Sequence, residues 1–272
     1  MSPADRIARA LFGLYMAAFF LYLFAPLVVM SAATFNESRF PTVIPWQGTT
    51  LQWFDALWND RPMWQSVWTS LVVAFFVVLV ALPVGTAAAL ILTSLHARAR
   101  SFLYALMVSP LLTPGVVIGI ATLVLWRQLN VGGGIFLIVV AQASFIICYV
   151  MLMVAARLQR FDRTQEEAAL GLGASKFMVF RRILLPFLKP ALIAAGFLAI
   201  LQSIENYNTT LFVRGFDTPL TVYIATKVRT GLTPAVNALA LVMIAMTILG
   251  AIAYEIARRR QVAAAAGRAA AG

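Results

Sequence analysis

Apolar residues run in six long blocks, near 10–33, 66–95, 102–126, 134–156, 190–213 and 235–257, each separated from the next by polar or basic links. A helix needs about twenty apolar residues to cross a hydrocarbon core of about 30 Å, and each block comes close to that length. The pattern predicts an all-α membrane protein of about six transmembrane helices in a single transmembrane domain over 1–272. One long stretch, EEAALGLGASKFMVFRRILLP at 166–186, could live in water, and it sits between the fourth and fifth blocks.

Composition removes the soluble alternatives. The chain is 62% apolar and 11% charged, against roughly half and a quarter in ordinary globular domains. Its net charge of +11 does not point to nucleic acid, because the basic residues collect in the links, where they record orientation. Of 21 Lys and Arg, 15 lie in the N-terminus, the 98–100 link, the 157–189 link and the C-terminus, and 6 in the other three links. The positive-inside rule therefore places both termini and the 162–186 loop in the cytoplasm, with 34–65 an external loop. The lone Cys148 allows neither a disulfide framework nor a thiolate cluster. The first block, about twenty apolar residues against 7 to 15 in cleaved signals, reads as an uncleaved helix. An alanine-rich tail, about 261–272, is expected to be disordered.

Within the polar loop, Asp162 and Thr164 each stand three residues before Gln165 and Glu167, the capping-box spacing that opens a helix. Ala168 and Ala169 give it a small-residue face, and Gly173 supplies the permissive dihedral that ends it. Ser175 can cap a second short helix carrying Phe177, Val179, Phe180 and Ile183, which Pro186 is expected to stop at the membrane. Two roles fit this periodicity equally: an amphipathic linker on the headgroups, with Arg181 and Arg182 on acidic lipid, or an element that docks on another protein.

Glu167-Ala168-Ala169, followed by Gly173 and then by Ile183-Leu184-Leu185-Pro186, resembles the cytoplasmic signature of binding-protein-dependent ABC importer permeases. The stretches SRFPTVIPWQGTTLQW at 38–53, Pro110-Leu111-Leu112-Thr113-Pro114, Phe161-Asp162 and LFVRGFDTPLTVYIATKVRTGLTPAVNALA from Leu211 are similar to its polyamine-type, spermidine/putrescine permease-like branch. The resemblance implies a type I importer permease fold in a bacterial inner membrane. It makes the loop a coupling element seated in a cleft of a cytoplasmic ATPase, through Glu167, Ala168, Ala169, Gly173, Ala174, Ser175, Ile183, Leu185 and Pro186. Glu167 would anchor that element and Gly173 bend it. The implied partners are a second permease of a different, homologous chain, two ABC ATPase subunits, an external solute-binding protein and the surrounding lipid. ATP and Mg would be used on the ATPases; this chain is expected to bind no cofactor and to be no enzyme. Gly171-Leu172-Gly173-Ala174-Ser175-Lys176 lacks the spacing that lets backbone amides wrap a phosphate.

Gln202, Glu205, Asn206 and Thr209 fall at helical spacing in the fifth block, flanked by Tyr207 and Asn208, and form a candidate solute path. A charge in a membrane helix costs about 2.5 to 3.5 kcal/mol on insertion scales, so Glu205 should face protein or water. Three explanations are open: a path residue, a carboxylate protonated or paired within the bundle, or a span that ends early and leaves Glu205 at the outer headgroups. A carboxylate with amide carbonyls and an aromatic ring suits a cationic amine. Polyamine-type relatives often carry two adjacent acids here, whereas this chain has Glu205 followed by Asn206, which leaves room for an amino-acid-like conjugate. Pro110, Pro114 and Gly115 should interrupt the third span, as a simple kink or as a break beside a transport site. Leu51, Phe54, Leu57 and Trp58 predict an external helix, lying at the interface or receiving a binding protein. A proton-coupled secondary carrier using Glu205 is the competing class.

Overall fold

The computed structural model describes residues 3–231 and 233–270. In chain order the helices are α1 (Pro3–Ala33), α2 (Gln52–Asn59), α3 (Arg61–Ser94), α4 (Ala97–Leu112), α5 (Gly115–Gln128) and α6 (Ile135–Leu158), then α7 (Thr164–Gly171) and α8 (Lys176–Val179). A π-helical turn at Phe180–Leu184 leads into α9 (Leu185–Ile204), followed by α10 (Thr210–Val213), α11 (Leu220–Thr230) and α12 (Pro234–Ala270). Ile7–Ala33, Arg61–Ser94, Ile135–Leu158 and Lys176–Ile204 are long and apolar enough to cross a membrane, and α4 with α5 forms a fifth, broken span. With the apolar Pro234–Gly250 part of α12, these correspond to the six predicted blocks.

The chain divides into two compact units, 1–61 with 226–272, and 62–225, where the sequence reads as one domain. In the first, α12 packs against α1 and α2. The apolar window of α1 buries none of its residues, and Phe12 and Tyr22 stand exposed, a surface suited to lipid. The 34–50 loop is gathered around the buried Asn36, whose Nδ2 donates to Thr42 O (2.8 Å) and Pro45 O (3.1 Å) and whose Oδ1 accepts from Gln47 N–H (2.9 Å). The predicted external helix exists as α2, with Leu57 buried and Trp58 exposed. The helix of α12 continues through Ala270, over most of the tail expected to be disordered, because alanine is the best helix former and extends a helix already nucleated; 271–272 lie outside the described residues.

The second unit is organised by α6, which is apolar all round and buries Ile138, Ile146, Val150 and Val154 among others, as expected of a helix surrounded by others. It packs against α4, α5, α9 and α10. Where α3 crosses it, a Cβ on Gly85 would lie 2.7 Å from Val150 Cβ, so only glycine permits that approach.

Candidate functional site

The 162–186 loop is built from short-range bonds. Asp162 Oδ1 accepts from both the N–H (3.0 Å) and the hydroxyl (2.7 Å) of Thr164, and these two bonds, the hydroxyl's first, hold the Asp162 carboxyl below its usual pKa. The expected capping boxes do not form. The N-cap position is Arg163, in helical conformation and without a side-chain cap, and Asp162 bonds Thr164 rather than Gln165. The end of α7 follows expectation: Gly173 takes φ +87, its N–H reaches Leu170 O (3.0 Å), and Ala174 N–H reaches Ala169 O (3.0 Å). That pair of bonds is the Schellman termination, which needs a residue free to adopt positive φ. Ser175 Oγ accepts from Met178 N–H (3.2 Å) and caps α8.

Pro186 does not end this second helix, as the sequence suggests it should; helix continues without a gap from Lys176 to Ile204. The π-helical turn before Pro186 widens the backbone where a proline ring would otherwise press on the preceding turn. Ile183 is half-buried, and Leu185 and Pro186 are exposed. Glu167 and Ala168 face solvent and Ala169 is half-buried, while Leu172 (90%) and Phe177 (71%) are far more exposed than water favours. The loop is also anchored. Arg163 Nη2 donates to Thr93 O (2.9 Å), satisfying one of the carbonyls orphaned at the end of α3. Arg157 Nε donates to Phe187 O (3.2 Å) with its guanidinium 4.2 Å from the Phe187 ring centroid, and that ring packs on Phe161. Arg163 thus ties the start of α7 to the end of α3, and Arg157 ties α6 to α9 where the loop leaves and rejoins the bundle.

The second site lies where two spans break. Pro110 removes the N–H that Leu106 O would accept; Ser109 Oγ donates to that carbonyl instead (2.8 Å), and Thr113 Oγ1 donates to Ser109 O (3.0 Å). After Thr113 and Pro114 the chain restarts as α5, bent by 101° from α4, so the predicted interruption is a break. The fifth span ends at Ile204 with Glu205 at its C-cap, rather than running to 213. Asn206 causes this: its Oδ1 accepts from Thr209 N–H (3.2 Å), Thr210 N–H (3.2 Å) and Thr210 Oγ1–H (3.1 Å), a local side-chain bonding pattern that competes with helix. The helical spacing expected for Gln202, Glu205, Asn206 and Thr209 therefore holds only as far as Glu205. These residues nevertheless come together, with Tyr207 and Asn208, along a cavity of about 300 Å³ whose other walls are Pro110, Leu111, Thr113, Gly115, Ile118, Phe145 and Tyr149. Glu205 and Asn208 are exposed in it, and Thr209 is buried.

Sequence reasoning missed the residue that organises this break. Gln142, 1% exposed in the middle of α6, accepts from Ser203 Oγ–H (2.6 Å) and donates through Nε2 to Thr210 Oγ1 (2.8 Å). Its only signal was a lone amide in an otherwise apolar block. Asp217 was missed too: its Oδ2 accepts from Ile135 N–H (2.9 Å) and caps the start of α6.

A buried central helix and two interrupted spans around a polar cavity define a polytopic membrane protein of the transport kind. Residues 81–262 match the family described as "Binding-protein-dependent transport system inner membrane component", and the chain belongs to that family. It is 32% identical over 256 residues to the spermidine/putrescine transport system permease protein PotC of Escherichia coli K12, covering 93% of this chain and 96% of that one. It is 34% identical over 251 residues to the putrescine transport system permease protein PotI of the same organism, covering 89% of each. A crystal structure of a bacterial ABC transporter involved in the import of the acidic polysaccharide alginate superposes with TM-score 0.73 at 16% identity, over 95% of this chain and 98% of that one, and shares the fold. The protein is thus an inner-membrane permease component and no enzyme.

Proposed function

We propose that this chain forms half of the translocation pathway of an ATP-driven importer for a small amine-bearing solute of the polyamine kind. The observation that carries the solute class is the placement of Glu205. Its carboxylate stands at the C-terminal end of α9, where the orphaned carbonyls already carry about half a negative charge, and it lines a cavity flanked by a broken helix and by Tyr207. Such a site attracts an ammonium group. The names of PotC and PotI support the same class. The loop from Asp162 to Pro186 is the docking element for a cytoplasmic ATPase, with Glu167 as its exposed charge, Leu172 and Phe177 as its apolar contacts and Gly173 as its bend. A second, homologous permease, two ATPases that use ATP and Mg, and an external binding protein complete the assembly.

Reconstitution of the assembled complex in proteoliposomes tests this. Uptake of labelled putrescine or another small amine is expected only with binding protein outside and ATP on the ATPase side. Uptake driven by a proton gradient without nucleotide would contradict the proposal and favour a secondary carrier.

A further inference from the structure

We infer that the cavity at the break in α9 takes a bipolar solute, an ω-amino acid with an ammonium at one end and a carboxylate at the other, rather than a diamine. The inference rests on the importer reading above; it keeps that reading's amine-bearing solute and puts an acid, in place of a second amine, at the far end.

Glu205 brings a carboxylate to the cavity, but the neighbouring wall offers donors. Asn206 Oδ1 is occupied by three donors from Thr209 and Thr210, so the amide presents only its Nδ2–H groups to the cavity it lines. Beside it, α5 begins at Gly115 after Pro114, with no side-chain cap. The Gly115 N–H has no hydrogen-bond partner among the described residues. A 14-residue helix places about half a positive charge at that end.

A separate observation marks the same spot. Thr209 is fully buried, and its Oγ1 is the one buried side-chain polar atom without a partner among the described residues. A buried hydroxyl left unpaired costs about 1–3 kcal/mol. That oxygen lies 2.8 Å from where a Cβ on Gly115 would stand, so any side chain at 115 would cover it. Thr209 and Gly115 both line the cavity. An uncapped helix start, an amide turned donor-outward and an orphaned hydroxyl line one cavity; a carboxylate can accept from all three, whereas a second ammonium finds an acceptor only in the hydroxyl. The volume of about 300 Å³ is at the small end of ligand cavities, in keeping with a short chain.

The test compares 4-aminobutyrate with putrescine, which differ only at one end. Equilibrium binding of each labelled probe is measured on the purified complex of both permeases and both ATPases, without binding protein. The same preparation is assayed for ATP hydrolysis stimulated by binding protein. Labelled 4-aminobutyrate is expected to bind at least about tenfold more tightly than putrescine, a difference of one well-paired charged end. Glu205→Gln is expected to weaken both. Thr209→Val keeps the shape and removes the hydroxyl; it is expected to weaken 4-aminobutyrate by about tenfold and putrescine by less than about twofold. Stimulated ATP hydrolysis together with equal or tighter putrescine binding, no binding of either probe, or equal losses for both probes in Thr209→Val would overturn this inference and leave the importer reading standing. Absence of stimulated hydrolysis would sink both.

Discussion

Asp162 reaches two residues along the chain to order the cytoplasmic elbow, whereas Gln142 reaches 61 and 68 residues to order the break in α9. The elbow is stabilised by its own neighbours, through the Asp162 turn, the termination at Gly173 and the Ser175 cap, so it keeps its shape while showing Leu172 and Phe177 to water. The break combines the local bonds of Asn206 with those of Gln142 from α6, so its shape also depends on the bundle. A docking lever has to be stiff on its own; a solute cavity in an alternating-access protein has to follow its walls. The two regions suit the roles proposed for them, with Arg163 tying the start of α7 to the end of α3 and Arg157 tying α6 to α9.

Reversing the charge at the elbow should separate the regions most sharply. Glu167→Lys leaves the fold of the cavity intact but puts a like charge where a docked partner expects an acid, a change worth several kcal/mol at an interface. Uptake should fall by about a hundredfold while membrane insertion, followed by protease accessibility of the tails, is unchanged. Gln142→Leu acts on the other region. It strands the Ser203 hydroxyl and leaves Thr210 with only its bond to Asn206, at a cost of about 1–3 kcal/mol in total, and should lower the Tm of the detergent-solubilised complex without weakening capture of the ATPase. Gly173→Ala, at φ +87, should cost about 1 kcal/mol in the elbow and reduce ATPase capture modestly, with the Tm of the bundle unmoved. The smallest effect belongs to Asp162. Its carboxyl titrates below the ordinary value of about 3.9 because Thr164 bonds its charged form. The order it contributes is therefore full above that ordinary value and is lost as pH falls through the lowered one. Exchange protection of the Thr164 amide should be flat at neutral pH and fall only in strong acid, and Asp162→Asn should weaken that acid dependence.

What was legible in the sequence follows the same division. The six apolar blocks, the Ser175 cap, the Gly173 turn and the interruption at Pro110 to Gly115 were readable because each rests on local chemistry. The elbow's start was misread since the Asp162 carboxylate could accept from Thr164 or from Gln165 one residue on, and only the folded loop decides. Pro186 misled because a π-helical turn absorbs a proline, and no residue type announces one. The fifth span was drawn too long because the polar stripe after Glu205 suits a helix on spacing alone. The bonds of Asn206 that end it are local, but they are held in place by Gln142, and that partner was invisible from sequence.

The central claim is that force enters this polypeptide through the docked elbow. In a Cys148→Ser background, Leu172→Cys places a thiol on the most exposed apolar side chain of the elbow, and a short bifunctional reagent is applied to the assembled, transporting complex. A covalent product between this chain and the ATPase, with uptake lost in proportion to its yield, is the predicted result. A complex that hydrolyses ATP and transports while Leu172→Cys forms no such product would contradict it.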